Sequence, residues 1–151
     1  MYRSIKAMVP DDNFNIEIGK AEVKRSGSDL SVITYGMGVH YMLDLAAKLE
    51  DEGISVEVVD LRSLIPWDKD LVSSSISKTN RALVLHEANL TGGVGAEISA
   101  FISENCFVHL DAPVMRLASI DTPIPFAGKL EKEIYLPFNK IEQKIKELLN
   151  F

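Results

Sequence analysis

The chain has 151 residues, 46% hydrophobic and 25% charged, which is the composition of one ordinary globular domain rather than of a disordered segment. A net charge of −6 disfavours nucleic acid and anionic membranes as partners and favours a basic protein. The apolar runs are too short to cross a bilayer, no secretory signal pattern opens the chain, and Cys106 has no second cysteine to pair with, which fits a cytoplasmic protein.

Four segments have the pattern of β-strands. They are "LSVITYG" (30–36), "ISVEVVDL" (54–61), "RALVLHE" (81–87) and "DAPVMRLAS" (111–119). The third is almost continuously apolar, which is typical of a strand buried on both faces of a sheet.

Helical periodicity fills the intervals between these strands. The predicted helices carry apolar stripes at Val39–Leu49, Leu71–Ile76, Val94–Ile102 and Ile141–Leu149; Gly53 ends the first, and the second begins at Pro66 with Asp68 as a cap. Because strands and helices alternate, the sequence predicts a three-layer α/β/α domain with a mostly parallel sheet of about five strands.

The ends of the chain depart from this alternation. Residues 1–15 form an irregular lead-in, and "IEIGKAEVKRSGS" (16–28) alternates like a short strand or hairpin at a sheet edge. "DTPIPFAGKLEKEIYLP" (121–137) contains three prolines and is predicted to cross the surface without regular structure.

Half of a dinucleotide-binding fingerprint follows the first strand. Gly36 and Gly38 stand in the turn and Asp60 ends the next strand, but Tyr41 occupies the place of the third glycine. A stand-alone nucleotide-binding module is therefore one hypothesis, and two turn glycines are the simpler interpretation.

A second glycine-rich loop, Gly92-Gly93-x-Gly95, links the third strand to its helix. It lacks the Lys-Ser/Thr of a P-loop, and no Lys or Arg lies between Arg81 and Arg116. These glycines are predicted to form a tight turn with positive φ and to pack closely against a neighbour.

His86 and Glu87 raise the possibility of a general base or of metal ligands. Adjacent strand residues point to opposite faces, and no third ligand has a suitable spacing, so the sequence predicts a hydrogen-bonded histidine at a strand end. The residues alone give no complete catalytic set.

The blocks "SDLSVITYG", "VVDLRSLIPWD", "HEANLTGGVGAEI", "LDAPVMRL" and "DTPIPFAGKLEKEIYLP" together resemble the C-terminal domain of 2-oxo acid dehydrogenase beta subunits, the thiamine-diphosphate-dependent component of the pyruvate and branched-chain complexes. The likeness covers nearly the whole chain, with residues 1–15 similar to the linker after an N-terminal pyrimidine-binding domain and 16–151 to the transketolase C-terminal-like domain. Where the family often has Gly-Pro before "DTP", this chain has Ser119-Ile120, which puts the local turn in doubt.

The resemblance implies an assembly domain rather than a catalytic one. Thiamine diphosphate and magnesium belong to the complete enzyme, so no catalytic, cofactor or metal residue is expected here. The implied role is to support oxidative decarboxylation of pyruvate or branched-chain 2-oxo acids, in the cytoplasm or in the mitochondrial matrix of a eukaryote. The last domain of a transketolase-like enzyme is a further alternative.

The resemblance also implies the partners. They are a second beta subunit, the alpha subunit and the basic subunit-binding domain of the acyltransferase core, which docks on Asp111 and the carboxylate of Phe151. Gly92, Gly93 and Gly95 are expected near the contact between two copies. The family, and the position of a final strand before the proline-rich segment, predict one antiparallel edge strand.

Overall fold

The computed structural model describes residues 5, 6, 8, 11–134 and 138–151, and it shows a five-stranded sheet with helices on both faces. In chain order the elements are β1 (Glu22–Arg25), β2 (Leu30–Thr34), α1 (Met37–Asp51), β3 (Val56–Asp60), α2 (Lys69–Thr79), β4 (Ala82–Asn89), α3 (Val94–Asn105), β5 (Met115–Ser119), α4 (Gly128–Ile134) and α5 (Phe138–Leu149), with a 3₁₀ turn at Phe107–His109. Much of the predicted lead-in, 1–15, lies outside the described residues.

The strand order is β1-β3-β2-β4-β5, with β1 antiparallel to β3 and every other pair parallel. This confirms the predicted mixed sheet. The antiparallel edge is β1, which lies in the segment that the sequence predicts as an edge strand. The final strand, β5, is instead parallel to β4, because α3 returns the chain before β5 begins.

The connection from β1 to β2 passes over the start of β3. A side chain at Gly27 would overlap the backbone of Val56 and Glu57, so glycine is required there. The carboxylate of Asp29 accepts the N–H of Ser55 at 2.8 Å, which fixes the crossing.

The two faces of the sheet bury separate apolar clusters. One contains Met42 and Leu49 of α1 with Ile145 and Leu148 of α5. The other contains residues of α2 and α3. The first five residues of β4, Ala82 to His86, are all buried, which confirms that this strand is covered on both faces.

Two predictions about helices were wrong, and the fourth predicted strand is shorter than 111–119, at Met115–Ser119. Helix α2 begins at Lys69 rather than at Pro66, because Asp68 is the N-cap and accepts the N–H of Leu71 at 3.0 Å, although the cap itself was predicted correctly. The segment 121–137 contains α4, since its first two prolines precede the helix and leave "GKLEKEI" free to form it. No described helix is long and apolar enough to cross a membrane.

Candidate docking surface and glycine-loop edge

The predicted site residues lie at two opposite edges of the sheet. The glycine loop and Gly36 follow the carboxyl ends of β4 and β2, while Asp60 is the last residue of β3 and His86 lies in the second half of β4. Asp111 precedes β5 and therefore lies at the edge where the parallel strands begin. The two groups belong to separate surfaces.

The glycine loop packs against a histidine of the same chain. A Cβ on Gly93 would lie 2.7 Å from Cε1 of His86, and one on Gly95 would overlap the imidazole directly. Gly92 has a φ of 73°, and a Cβ at this position would have no other atom within 4 Å. Gly92 thus supplies the positive φ, and Gly93 and Gly95 allow the close approach to His86, as expected of a structural turn.

His86 is fully buried beneath this loop. Burial lowers its pKa, Arg116 lowers it further, and the Ala88 backbone opposes the shift weakly. Neither ring nitrogen has a hydrogen bond of ordinary geometry, so the predicted hydrogen-bonded histidine was wrong in that respect. The ring instead lies parallel to that of Tyr35, with centroids 6.4 Å apart.

Glu87 follows His86 on β4 but differs from it in exposure. It is half-buried while His86 is fully buried, and one of its carboxylate oxygens has no hydrogen-bond partner. Within the described residues no group of three His, Cys, Asp or Glu side chains is placed to hold a metal ion.

The half-fingerprint glycines also have structural roles. Gly36, with a φ of 63°, is the N-cap of α1, and a side chain at Gly38 would overlap the Thr34 hydroxyl. Asp60 lies opposite Thr34 in the parallel β2–β3 register, where a ribose-binding acid would stand, but its carboxylate accepts the N–H of Arg62 at 3.1 Å. Asp60 therefore occupies the position of a ribose-binding acid, but the glycine turn does not form an open cradle for a nucleotide.

Asp111 is exposed and is held by the turn before β4. Its N–H donates to the carbonyl of Asn80 at 2.9 Å, and its carboxylate lies 3.9 Å from the guanidinium of Arg81. The side chain of Asp111 is 60% exposed, so the Arg81 contact leaves its carboxylate accessible to a second cation.

The end of α5 reaches the same edge as Asp111. Lys146, in the last turn of α5, pairs with Glu52 after α1 at 2.8 Å, and Leu148 shares a buried cluster with Ala112. Phe151, which is 64% exposed, follows this turn.

Two exposed apolar residues beside Asp111 were not singled out from the sequence. Phe107 is 72% exposed and Val108 is 85% exposed, both in the 3₁₀ turn before Asp111. The sequence signal that could have identified them is an apolar pair just after the end of α3. We call Phe107, Val108, Asp111 and Phe151 the candidate docking surface.

Comparisons with known proteins identify relatives along the whole chain. The family described as "Transketolase, C-terminal domain" matches residues 19–141. The chain is 45% identical to the 2-oxoisovalerate dehydrogenase subunit beta of Bacillus subtilis (strain 168), covering 99% of this chain and 46% of that protein. It is 43% identical to the pyruvate dehydrogenase E1 component subunit beta of the same organism, covering 100% of this chain and 46% of that protein.

A plant relative and a solved structure extend the comparison. The mitochondrial 2-oxoisovalerate dehydrogenase subunit beta 2 of Arabidopsis thaliana is 43% identical, covering 100% of this chain and 42% of that protein. A structure described as "Split gene transketolase, inactive beta4 tetramer" superposes with a TM-score of 0.79 at 27% identity, covering 97% of this chain and 46% of that one. The chain spans less than half the length of each of these relatives.

Proposed function

Because this chain belongs to the transketolase C-terminal domain family and is similar over its length to beta subunits of 2-oxo acid dehydrogenases, we propose that it is the assembly and docking domain of such a subunit. In the complete enzyme it supports oxidative decarboxylation of pyruvate or a branched-chain 2-oxo acid. Its partners are the alpha subunit, a second beta subunit and the subunit-binding domain of the acyltransferase core.

The observation that carries the docking proposal is the composition of the candidate docking surface. An exposed carboxylate at Asp111 stands beside exposed Phe107 and Val108, on the edge that also carries the C-terminal Phe151. A charged acceptor next to apolar side chains suits a small basic domain, since the charge orients the partner and the apolar contact supplies area. The net charge of −6 favours its approach.

Titration of the chain with a basic subunit-binding domain, followed by calorimetry, tests this proposal. Asp111→Ala, and separately amidation or extension of the C-terminus, should each weaken binding tenfold or more, since truncating one partner of a charge pair at an interface costs about 2 kcal/mol or more. The loss should shrink as salt rises, because screening weakens the contact.

The matched control is Asp44→Ala, an exposed acid in the middle of α1 that removes the same charge. It should change affinity little if Asp111 acts by contact rather than through net charge. Thermal stability of Asp111→Ala should also change little, since exposed ion pairs such as that with Arg81 contribute about 0.2–1 kcal/mol. Unchanged affinity in Asp111→Ala would return this residue to a plain turn role.

The described residues do not fit the thiamine diphosphate and magnesium that the complete enzyme requires. Gly93 and Gly95 are packed against His86 and leave no cradle for a diphosphate. No group of carboxylates or histidines among the described residues has metal-ligand spacing. We therefore assign no cofactor residue and no chemical step to this chain.

Self-association is the second part of the proposal. The similar split-gene transketolase is described as a beta4 tetramer, which supports contact between copies of this domain. A two-fold dimer with the glycine loop near the contact is the expected form.

A bulky residue at Gly93 would collide with His86, so it would disturb the fold as well as any contact between copies. Gly92 gives a sharper test of this loop. Gly92→Asn adds a side chain where space is open and tolerates the positive φ. Sedimentation at tens of micromolar should give a dimer for the natural chain and a weaker dimer for Gly92→Asn. A monomeric natural chain would count against the proposal, and an unchanged dimer in the variant would remove Gly92 from the contact.

A nucleotide-binding module is the second candidate function. It is favoured by one observation, the parallel register that sets Asp60 beside the end of β2, next to Gly36. Saturable micromolar binding of NAD or ATP would support it, and no binding would leave the docking proposal standing alone. A transketolase-like enzyme is a further alternative through the shared family, and substrate assays of the full assembly separate it from a dehydrogenase.

The compartment follows from the same proposal. One relative is named as mitochondrial, and the thiol of Cys106 is buried and unpaired. A reducing compartment, either the cytoplasm or the mitochondrial matrix, is the setting that we propose.

A further inference from the structure

A cavity lies along one side of helix α2, between that helix and the edge strand β1. Its volume is about 530 Å³, within the range of roughly 300–1,000 Å³ usual for small-molecule sites. Its lining includes Lys20, Ala21 and Val23, the buried Glu57 of β3, and one side of α2.

The charged groups deep in this cavity already have partners. The carboxylate of Glu57 accepts the hydroxyl of Ser75 at 2.5 Å and forms an ion pair with Lys78. Asp68 accepts the N–H groups of Ala21 at 3.1 Å and Leu71 at 3.0 Å. The inner wall is therefore electrostatically satisfied and offers no free charge to a ligand.

The outer part of the lining carries two charges of opposite sign. Lys20 and Asp70 are both exposed, and neither side chain forms an ion pair or hydrogen bond with another residue in the described ranges. The lining also contains two apolar side chains, Val23, which is 38% exposed, and Leu71, which is half-buried. An exposed valine on an edge strand beside two free charges is a surface that the fold itself does not require.

We infer that this cavity binds a small zwitterion, an amino acid with an aliphatic side chain. Lys20 would contact the ligand carboxylate, Asp70 the ligand ammonium, and Val23 and Leu71 the side chain. A ligand of a single charge sign would meet repulsion from one of the two free groups. This inference does not depend on the proposed dehydrogenase role.

Titration of the whole chain with leucine, followed by amide NMR, tests the inference. Saturable shift changes centred on β1 and α2 are expected. N-acetyl-leucine, which lacks the ammonium, and leucinamide, which lacks the carboxylate, should each bind about threefold to fivefold more weakly, the range typical of an exposed charge pair. Glycine should bind more weakly than leucine because it leaves the apolar lining uncovered.

Two variants assign the contacts. Lys20→Gln should remove the discrimination between leucine and leucinamide, and Asp70→Asn should remove that between leucine and N-acetyl-leucine. Lys48→Gln and Asp44→Asn, exposed on α1 on the other face of the sheet, are charge-matched controls that should change neither.

Absence of saturable shifts in this region at tens of millimolar leucine would overturn the inference. Equal binding of leucine and both derivatives by the natural chain would also overturn it. Either result would leave the docking test at Asp111 unaffected, because that test uses a different ligand and a different residue.

Discussion

The ion pair between Glu57 and Lys78 gives an asymmetric prediction about stability. The Glu57 side chain is 1% exposed and the Lys78 side chain is 46% exposed. Lys78→Met therefore leaves a buried carboxylate without its cation, whereas Glu57→Gln leaves an ammonium that can turn to water. The two substitutions remove the same pair and should have unequal costs.

The magnitude follows from this difference in exposure. Breaking a fully buried pair costs about 3–5 kcal/mol, but water can reach the half-exposed position of Lys78 after truncation. Ser75 also continues to donate to Glu57. We expect Lys78→Met to lower the free energy of unfolding by about 2 kcal/mol, the middle of the range for an unsatisfied buried group. For a chain of this size that is a fall in Tm of about 4–8 °C.

The matched comparison is a double-mutant cycle measured by urea denaturation. Glu57→Gln should cost less than about 1 kcal/mol, because glutamine keeps an acceptor for Ser75. Lys78→Met in the Glu57→Gln background should cost less than about 0.5 kcal/mol, the usual limit for a surface change. Lys48→Met, an exposed lysine on α1, is the control. An equal loss from Lys78→Met in both backgrounds would refute the assignment of a coupled pair.

Three further predictions address the glycine loop, its histidine and catalysis. Gly95→Ala should destabilise the fold by about 1–3 kcal/mol in urea denaturation because its Cβ overlaps His86; Gly128→Ala, where nothing lies within 4 Å, is the control, and equal effects would contradict the packing. Burial lowers the pKa of His86 below 6.5, so the unfolded chain binds the proton more tightly than the folded chain does. The free energy of unfolding should therefore fall as pH drops below about 6.5, by at most about 1.4 kcal/mol per pH unit from this group. An NMR titration showing His86 protonated above pH 6.5 would reverse the sign. The chain with thiamine diphosphate and magnesium should not decarboxylate 2-oxo acids, with or without the alpha subunit, and turnover above the uncatalysed rate would disprove this.

The sequence predicted the layers because local patterns determine them. Alternating apolar runs identified the parallel strands, and Asp68 was recognised as a cap because capping needs only the next three residues. The start of α2 was misplaced because Pro66 and Asp68 both signal a helix start, and the sequence alone does not rank them. The helix α4 was missed because the prolines around it dominated the interpretation.

Contacts between distant segments were not accessible from these patterns. His86 and the glycines Gly93 and Gly95 were each noted, but their packing depends on how the loop folds back over the end of β4. Glu57 gave no signal of burial, since its partners Ser75 and Lys78 lie on a helix 18 to 21 residues later. Asp111 and Phe151 were proposed as docking residues from the sequence, whereas the exposure of Phe107 and Val108 became visible only in three dimensions.

The chain crosses over the start of β3 at Gly27, and this connection has a consequence for strand pairing during synthesis. β1 leaves the ribosome before β3, its hydrogen-bonding partner, and β2 cannot replace that partner because β3 lies between them. During synthesis β1 therefore remains unpaired until β3 has been made, and an unpaired strand is the kind of segment that promotes aggregation. Three of its four residues, Glu22, Lys24 and Arg25, are charged, and charged side chains on an exposed strand oppose aggregation.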